Sequence, residues 1–279
     1  MPRFIKYLLV LLAIGAAVPA VQAQILLTGG EPMLEDSVMR DFSNQPYFGI
    51  YKDNYFIFGP SVGPKPTKEN TNIKFQISIA QRLTKGTLPF GTYLYLYYTQ
   101  KCFWNILENS MPMTDLNFNP GIGVTKPLFV KNRYIGKATL MIEHESNGRD
   151  SIWSRSWNRV ALASSINVTK NLMVHAKFWI PIVDGQNNRD IVKYCGWSQF
   201  GFQLISDNKR LIGGLTIVPR PHFSSNVIID FGYRIFKRDN QFLFLQFYNG
   251  YGEGLLEYNK FHSQVRVGLL IRPKLFSDF

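Results

Sequence analysis

The segment Ile73-Lys74-Phe75-Gln76-Ile77-Ser78-Ile79-Ala80 sets four apolar residues at spacing two, with Lys74, Gln76, Ser78 and Ala80 between them. Two is the side-chain period of a β-strand, and the alternation gives that strand one apolar and one polar face. The pattern recurs. Leu172, Val174, Ala176, Phe178 and Ile180 oppose Met173, His175, Lys177 and Trp179, and Val265, Val267, Leu269 and Ile271 oppose Arg266, Gly268 and Arg272. A looser copy sets Val160, Leu162 and Ile166, interrupted by Ser164, against Arg159, Ala161, Ala163 and Ser165. Working outward, strands are expected near 54–60, 72–81, 91–101, 120–129, 136–145, 156–167, 171–182, 192–204, 210–218, 226–235, 241–249 and 263–272, which makes 12. Turn chemistry separates them at Lys85-Gly86, Asp184-Gly185-Gln186-Asn187-Asn188 and Asp207-Asn208-Lys209, and Pro and Gly fill 59–66. These signals recur at short, similar spacing, so no internal domain boundary stands out.

Many short alternating strands fit either a soluble sandwich or a closed membrane barrel. The strands' polar faces carry Lys, Arg, Gln and His even in mid-strand, which suits a polar lumen. Aromatic residues, 22 Phe and 14 Tyr in all, gather at Tyr47, Phe48, Tyr51, Tyr55, Phe56, Tyr93, Tyr95, Tyr97 and Tyr98, as interfacial girdles require. The terminal Phe279, beyond a last strand with aliphatic outward positions, is similar to the assembly signal of outer-membrane barrels. The expected fold is all-β, a 12-stranded antiparallel transmembrane β-barrel over residues 54–279, preceded by an extension over 24–53.

Residues 1–23 read as an export signal, with Arg3 and Lys6 as its charged region, an apolar stretch over 7–18 and Val21-Gln22-Ala23 as the cleavage site. A membrane anchor is the rival reading, but the stretch falls short of the roughly 20 residues a spanning helix needs. Beyond it no apolar run is long enough for such a helix. Without Arg3 and Lys6 the formal charge falls from +12 to +10. The remaining basic residues are scattered, which argues against nucleic acid and for a polar lumen or anionic headgroups. Cys102 and Cys195 share no ligand spacing and are too few for a disulfide framework, so they read as isolated small side chains.

One region combines a base, a hydroxyl and an orienting group: Glu143-His144-Glu145-Ser146-Asn147-Gly148-Arg149, followed by Ser154-Arg155-Ser156-Trp157-Asn158-Arg159. Leu140, Ile142, His144 and Ser146 share one strand face, and Asn158 shares the face of Val160 and Leu162. If the aliphatic members face lipid, three polar side chains face it too, and in hydrocarbon they should pair with one another. That pairing is the nucleophile, base and orienter arrangement of a serine hydrolase, with Ser146 attacking, His144 moving the proton and Asn158 holding the imidazole. Backbone near Gly148 could donate to an oxyanion, with a cation supplementing it. The same residues also read as ordinary polar positions at a strand end. A zinc site through His144-Glu145 fails, because Gly148 stands where the second His belongs. His175 points to the lumen by parity, and His222 and His262 offer little.

At these residues the chain resembles the outer-membrane phospholipase A family, whose hallmark is His-x-Ser-Asn-Gly-Arg followed closely by Ser-Arg-Ser-Trp-Asn-Arg. Both halves stand here in order, and the likeness extends to Tyr98-Thr99-Gln100, Tyr251-Gly252-Glu253 and Tyr258-Asn259. The resemblance implies a 12-stranded barrel in the bacterial outer membrane that hydrolyses sn-1 and sn-2 acyl esters of phospholipids and lysophospholipids, dependent on calcium and active as a homodimer. It assigns Ser146 as nucleophile, His144 as base and Asn158 as third member. It also implies a calcium ion (Ca2+) at the dimer interface, held by the main-chain oxygen of Arg149, by Ser154 and by Ser110 of the partner subunit. Gln100 is expected in the dimer contact, as a buried polar group on the barrel wall. Two departures are Glu145, where the family has Asp, and Asp150-Ser151-Ile152-Trp153 within the calcium loop. By parity Glu145 lies on the opposite face. The alternatives are a lipid A deacylase-like barrel esterase and a passive barrel.

Overall fold

The computed structural model describes residues 46–272 apart from 184 and 237–239, together with Asp36, Met39 and Ser43 upstream. The expected export signal over 1–23 and the terminal Phe279 lie outside the described residues. The strands are β1 (Phe48–Ile50), β2 (Asn54–Pro60), β3 (Thr71–Arg82), β4 (Tyr93–Trp104), β5 (Met113–Val130), β6 (Arg133–Ser146) and β7 (Ser156–Asn167). They continue with β8 (Leu172–Ile182), β9 (Ser198–Ile205), β10 (Leu211–Arg220), β11 (Ser224–Arg234), β12 (Gln241–Gly250) and β13 (His262–Ile271). Every pairing is antiparallel, and between neighbours in sequence except that β1 pairs with β3, while β13 returns to β2, with Val267 opposite Phe58, to close the sheet.

β1 and β2 are two pieces of one barrel strand. Ile50 pairs with Ile79 and Tyr55 with Gln76, so the register slips between them. Ser78 spans the break: its carbonyl accepts from Tyr51 N at 3.2 Å and its N–H donates to Asn54 Oδ1 at 2.6 Å. The barrel is therefore 12-stranded, as expected from the pattern.

The two faces are inverted relative to a soluble protein. Phe56, Ile77, Leu204, Phe231, Leu243 and Val267 are exposed on the outer wall, while Lys74, Gln203, Thr216, Gln246 and Arg266 are buried inside. This distribution marks a wall in lipid around a polar lumen. Inside, Glu253 accepts from Lys74 Nζ at 3.1 Å and Arg266 Nη1 at 2.7 Å, and Arg272 Nη2 lies 2.7 Å from Asp53. Residues 251–261, between β12 and β13, fold into one mouth, where Leu255 N donates to Asn117 Oδ1 and Leu256 N to Asp115 Oδ2.

Loops 61–70, 105–112, 147–155, 183–197 and 251–261 crowd that mouth, whereas the opposite end has one longer connection, 83–92, and short turns at 131–132, 168–171 and 206–210. In outer-membrane barrels the long loops are extracellular and the short turns periplasmic.

Three details differ from the sequence reading. β5 begins at Met113 rather than near 120, because Asn117, Asn119 and Pro120 dilute its alternation. The segment 192–197 opens no strand: a short helix, α1 (Ile191–Cys195), ends there at Gly196, whose φ of 68° suits glycine. The aromatic cluster is divided between the two faces. Phe48 and Phe56 are exposed outside, but Tyr93 and Tyr97 are buried inside, Tyr55 lines the lumen and Tyr47 lies against the buried Arg82 guanidinium at 4.8 Å. There the phenols find partners, as when Tyr97 Oη pairs with Thr125 Oγ1 at 2.7 Å, which a lipid girdle could not offer. Cys102 and Cys195 are free thiols.

Candidate active site

The β6–β7 hairpin carries the candidate residues at its extracellular end. Leu140 pairs with Leu162, Ile142 with Val160, His144 with Asn158 and Ser146 with Ser156. Leu140 is 51% exposed, Ile142 58% and Leu162 54%, so this face looks into lipid. His144, Ser146 and Asn158 continue it by parity and are half-buried.

His144 Nδ1 and Asn158 Oδ1 are 2.8 Å apart. An amide oxygen only accepts, so Nδ1 carries the proton and Nε2 is left as the basic nitrogen. Ser146 lies two residues on, roughly 7 Å along the strand on the same face. Among the described residues no hydrogen bond joins Ser146 to His144. The structure thus brings base and orienter together and sets the hydroxyl beside them.

Behind this face the strands are held by charge. Glu143 Oε2 accepts from Lys177 Nζ at 2.7 Å, and Glu145 Oε2 accepts from Arg159 Nη1 and Trp157 Nε1, both at 3.1 Å. The Arg159 guanidinium also stacks 4.3 Å from the Trp157 ring centroid. Glu145 faces inward, as parity required. Between the pairs Phe118–Ser146 and Gly121–Glu143, Pro120 has no N–H to give, and Asn119 Nδ2 donates to the His144 carbonyl at 2.7 Å instead.

Loop 147–155 is pinned from within. Buried Asn147 donates to Trp153 O at 2.8 Å, and its Oδ1 accepts from Arg155 N at 3.0 Å and Arg149 N at 3.3 Å. Gly148 has a φ of 64°, and a Cβ there would meet the Phe118 ring at 2.9 Å. Buried Asn188 clamps the start of β7, donating to Ser156 O at 2.8 Å and accepting from Ser156 N at 3.2 Å. Sequence reasoning missed Asn119, Asn147 and Asn188 as supports. The signal was present for Asn147 and Asn188, since Asn next to Gly or in a turn commonly bonds backbone, but not for Asn119 in mid-strand.

Arg149 and Ser154 both lie in this loop. Arg149 Nη2 donates to Thr114 O at 2.7 Å, which ties the loop to the start of β5 and so to loop 105–112, where Ser110 is exposed. Among the described residues no hydrogen bond takes up the Arg149 carbonyl oxygen or the Ser154 hydroxyl. No group of three His, Cys, Asp or Glu side chains forms a metal cluster among the described residues. The oxygens on offer are a carbonyl and hydroxyls, which fit a hard cation that keeps bound water and exclude a thiolate or imidazole site. Gln100 faces lipid on β4, accepting from Tyr98 Oη at 2.9 Å and donating to Cys102 Sγ at 3.4 Å. Gln100, Phe118, Ser146 and Ser156 form one row across β4, β5, β6 and β7.

A closed barrel with an apolar outer wall, interrupted near its extracellular rim by an imidazole–amide pair beside a serine, defines an outer-membrane β-barrel hydrolase as the class. The chain belongs to the phospholipase A1 family, whose family model matches residues 47–271. It is 28% identical to the phospholipase A1 of Klebsiella pneumoniae over 93% of this chain and 96% of that one. It is 30% identical to that of Escherichia coli K12 over 71% and 69% of the two chains. Outer membrane phospholipase A from Escherichia coli has the same fold at a TM-score of 0.71 and 26% identity, covering 81% of this chain and 98% of that one. The Salmonella typhi outer membrane phospholipase dimer with bound calcium gives 0.73 and 24%, covering 88% and 100%. The protein is a phospholipase enzyme of the outer membrane.

Proposed function

We propose that this enzyme hydrolyses acyl esters of membrane phospholipids and lysophospholipids, at sn-1 and sn-2, through Ser146, His144 and Asn158 on the lipid-facing wall. The observation that carries this reading is the 2.8 Å contact between His144 and Asn158 on an otherwise aliphatic face, with Ser146 next along the same strand. A polar pair in hydrocarbon is costly without a purpose, and here it leaves Nε2 as the nitrogen free to take a proton.

In the reaction Ser146 Oγ attacks the ester carbonyl as His144 Nε2 takes its proton. Asn158 Oδ1 holds the ring so that only Nε2 can do so. The imidazolium then returns the proton to the leaving lysolipid alcohol, and water repeats the sequence on the acyl-enzyme. Asn158 brings no charge to the imidazolium, so developing charge must be met elsewhere. The Arg149 carbonyl, the Ser154 hydroxyl and Ser110 of the partner subunit are the oxygens that would hold calcium, which when bound supplies positive charge near the oxyanion. A ligand from the partner makes the active species a homodimer, with Gln100 at the contact.

The test is fatty-acid release from mixed phospholipid micelles by refolded protein, with calcium or with chelator, beside Ser146→Ala. Calcium-dependent release abolished by the substitution supports the reading. Release that survives Ser146→Ala overturns the nucleophile, and release that ignores chelator overturns the calcium assignment.

A further inference from the structure

The two ends of the barrel differ in charge. At the long-loop end both signs mix in four of the loops, Lys65 and Lys68 with Glu69, Arg149 and Arg155 with Asp150, Arg189 and Lys193 with Asp190, Lys260 with Glu257, and loop 105–112 carries Glu108 alone. At the short-turn end Lys85, Lys131, Arg133, Lys170, Lys209 and Arg210 face a single acidic residue among the described turn residues, Asp207. Lys170 Nζ lies 3.2 Å from Asp207 Oδ1, so among the described residues most of the positive charge at this end has no carboxylate beside it.

Two further features fit this end to a lipid surface. Lys126 stands on the outer face of β5, on the face that carries Ile122 and Val124, and is exposed there. It lies four residues above the end of the strand, roughly 10 Å along the membrane normal at ordinary strand tilt, within reach of headgroups once its stem extends down the apolar wall. Exposed aromatics interleave with the basic residues. Phe90 stands in the β3–β4 turn, Phe48 at the foot of β1, and Tyr233 takes a hydrogen bond from Arg210 Nη1 at 3.0 Å on its phenol oxygen. Aromatic rings at headgroup depth beside cations form an interfacial belt built for one sign of headgroup.

We propose that the periplasmic rim of this barrel is a docking surface for anionic phospholipids of the facing leaflet, a second lipid site remote from the hydrolytic one. Charge complementarity argues for anionic over zwitterionic headgroups, and the position of Lys126 within the apolar wall argues for a lipid rather than a soluble anion. Each basic residue held near such a surface is worth roughly a fivefold preference. The site needs no catalytic residue and stands whether or not the hydrolytic assignment does.

The test reconstitutes the protein in bilayers of ether-linked lipids, which no esterase consumes, and compares immobilisation of spin-labelled phosphatidylglycerol and phosphatidylcholine at the barrel wall. Wild type should hold phosphatidylglycerol at least severalfold more strongly, with the preference fading toward 1 M salt as screening shortens to about 3 Å. A variant with Lys126, Lys131, Arg133, Lys170, Lys209 and Arg210 all changed to Gln should bring the ratio to near one. Neutralising Lys65, Lys68 and Lys260 at the other end should leave it unchanged. Heat-modifiable gel mobility confirms folding of each variant, and if the six-site variant fails it, Lys126→Gln with Lys131→Gln must still lower the ratio. No preference in wild type, a preference that survives the rim substitutions, or one abolished by the long-loop set overturns the proposal.

Discussion

The ion pair behind β6, the strand of the proposed catalytic residues, makes a stability prediction. Lys177 Nζ and Glu143 Oε2 are 2.7 Å apart and both are buried, with Arg159 Nε a further 3.6 Å from the same carboxylate oxygen. Removing one partner of a buried pair typically costs 3–5 kcal/mol, because the survivor keeps its desolvation penalty without its counter-charge. Lys177→Met should fall at the low end, about 3 kcal/mol, since Arg159 remains beside Glu143. Glu143→Leu should cost at least as much, leaving Lys177 buried with its carboxylate gone. The double variant removes both charges and leaves Arg159 paired with Glu145 at 3.1 Å. It should unfold within about 1 kcal/mol of wild type, far from the roughly 6 kcal/mol that additive losses would give. The assay is urea unfolding of the refolded barrel in micelles, where 3 kcal/mol moves the midpoint by roughly 1–2 M. A double variant as unstable as the two losses summed would refute the view that the pair's worth lies in mutual neutralisation.

Three other substitutions probe the site and its supports. Asn158→Ala frees the His144 ring and should lower kcat roughly 100-fold with KM little changed; initial rates on micellar phospholipid decide, and an unchanged kcat removes Asn158 from the mechanism. Gly148→Ala places a side chain at a φ of 64° and against Phe118, and should cost about 1–2 kcal/mol in the same urea assay, with a wild-type midpoint as the contrary result. Glu253, in the loop that fills the extracellular mouth, is pushed up by burial but carried below the usual carboxylate range, to about 2, by Lys74 and Arg266. Its folded value lies under its unfolded value. The stability it contributes is therefore complete above an ordinary carboxylate pKa near 4.3 and lost as pH falls through about 2. Unfolding midpoints measured from pH 6 to pH 2 should decline in wild type and less steeply in Glu253→Gln, and parallel curves would contradict the assignment.

What the sequence made legible follows from what parity can carry. Alternation marks which residues share a face, so the twelve strands, the polar lumen and the common face of His144, Ser146 and Asn158 could all be read locally. Where alternation is diluted, as by Asn117, Asn119 and Pro120 in β5, or where a helix carries equally apolar residues, as at α1, the same rule fails. Aromatics misled for a related reason. A tyrosine serves a lipid rim or a polar lumen equally well, and only its partner, Thr125 for Tyr97, tells which.

Rows across strands are a different matter, because parity says nothing of register. That Gln100 stands level with Ser146, with Phe118 between them, depends on how far β4 and β5 slide before pairing, a register that runs unbroken from Tyr93 to Phe103 and shifts only at Trp104. A one-residue slip would turn Phe118 into the lumen and bring Asn117 or Asn119 beside Ser146. The row therefore ties the proposed dimer contact to the proposed nucleophile: Gln100 and Ser146 are separated by one strand, roughly 10 Å. A partner seated over Gln100 would overhang Ser146. Contact and site then respond together, because whatever orders β4 against β5 also sets the wall on which an acyl chain must lie.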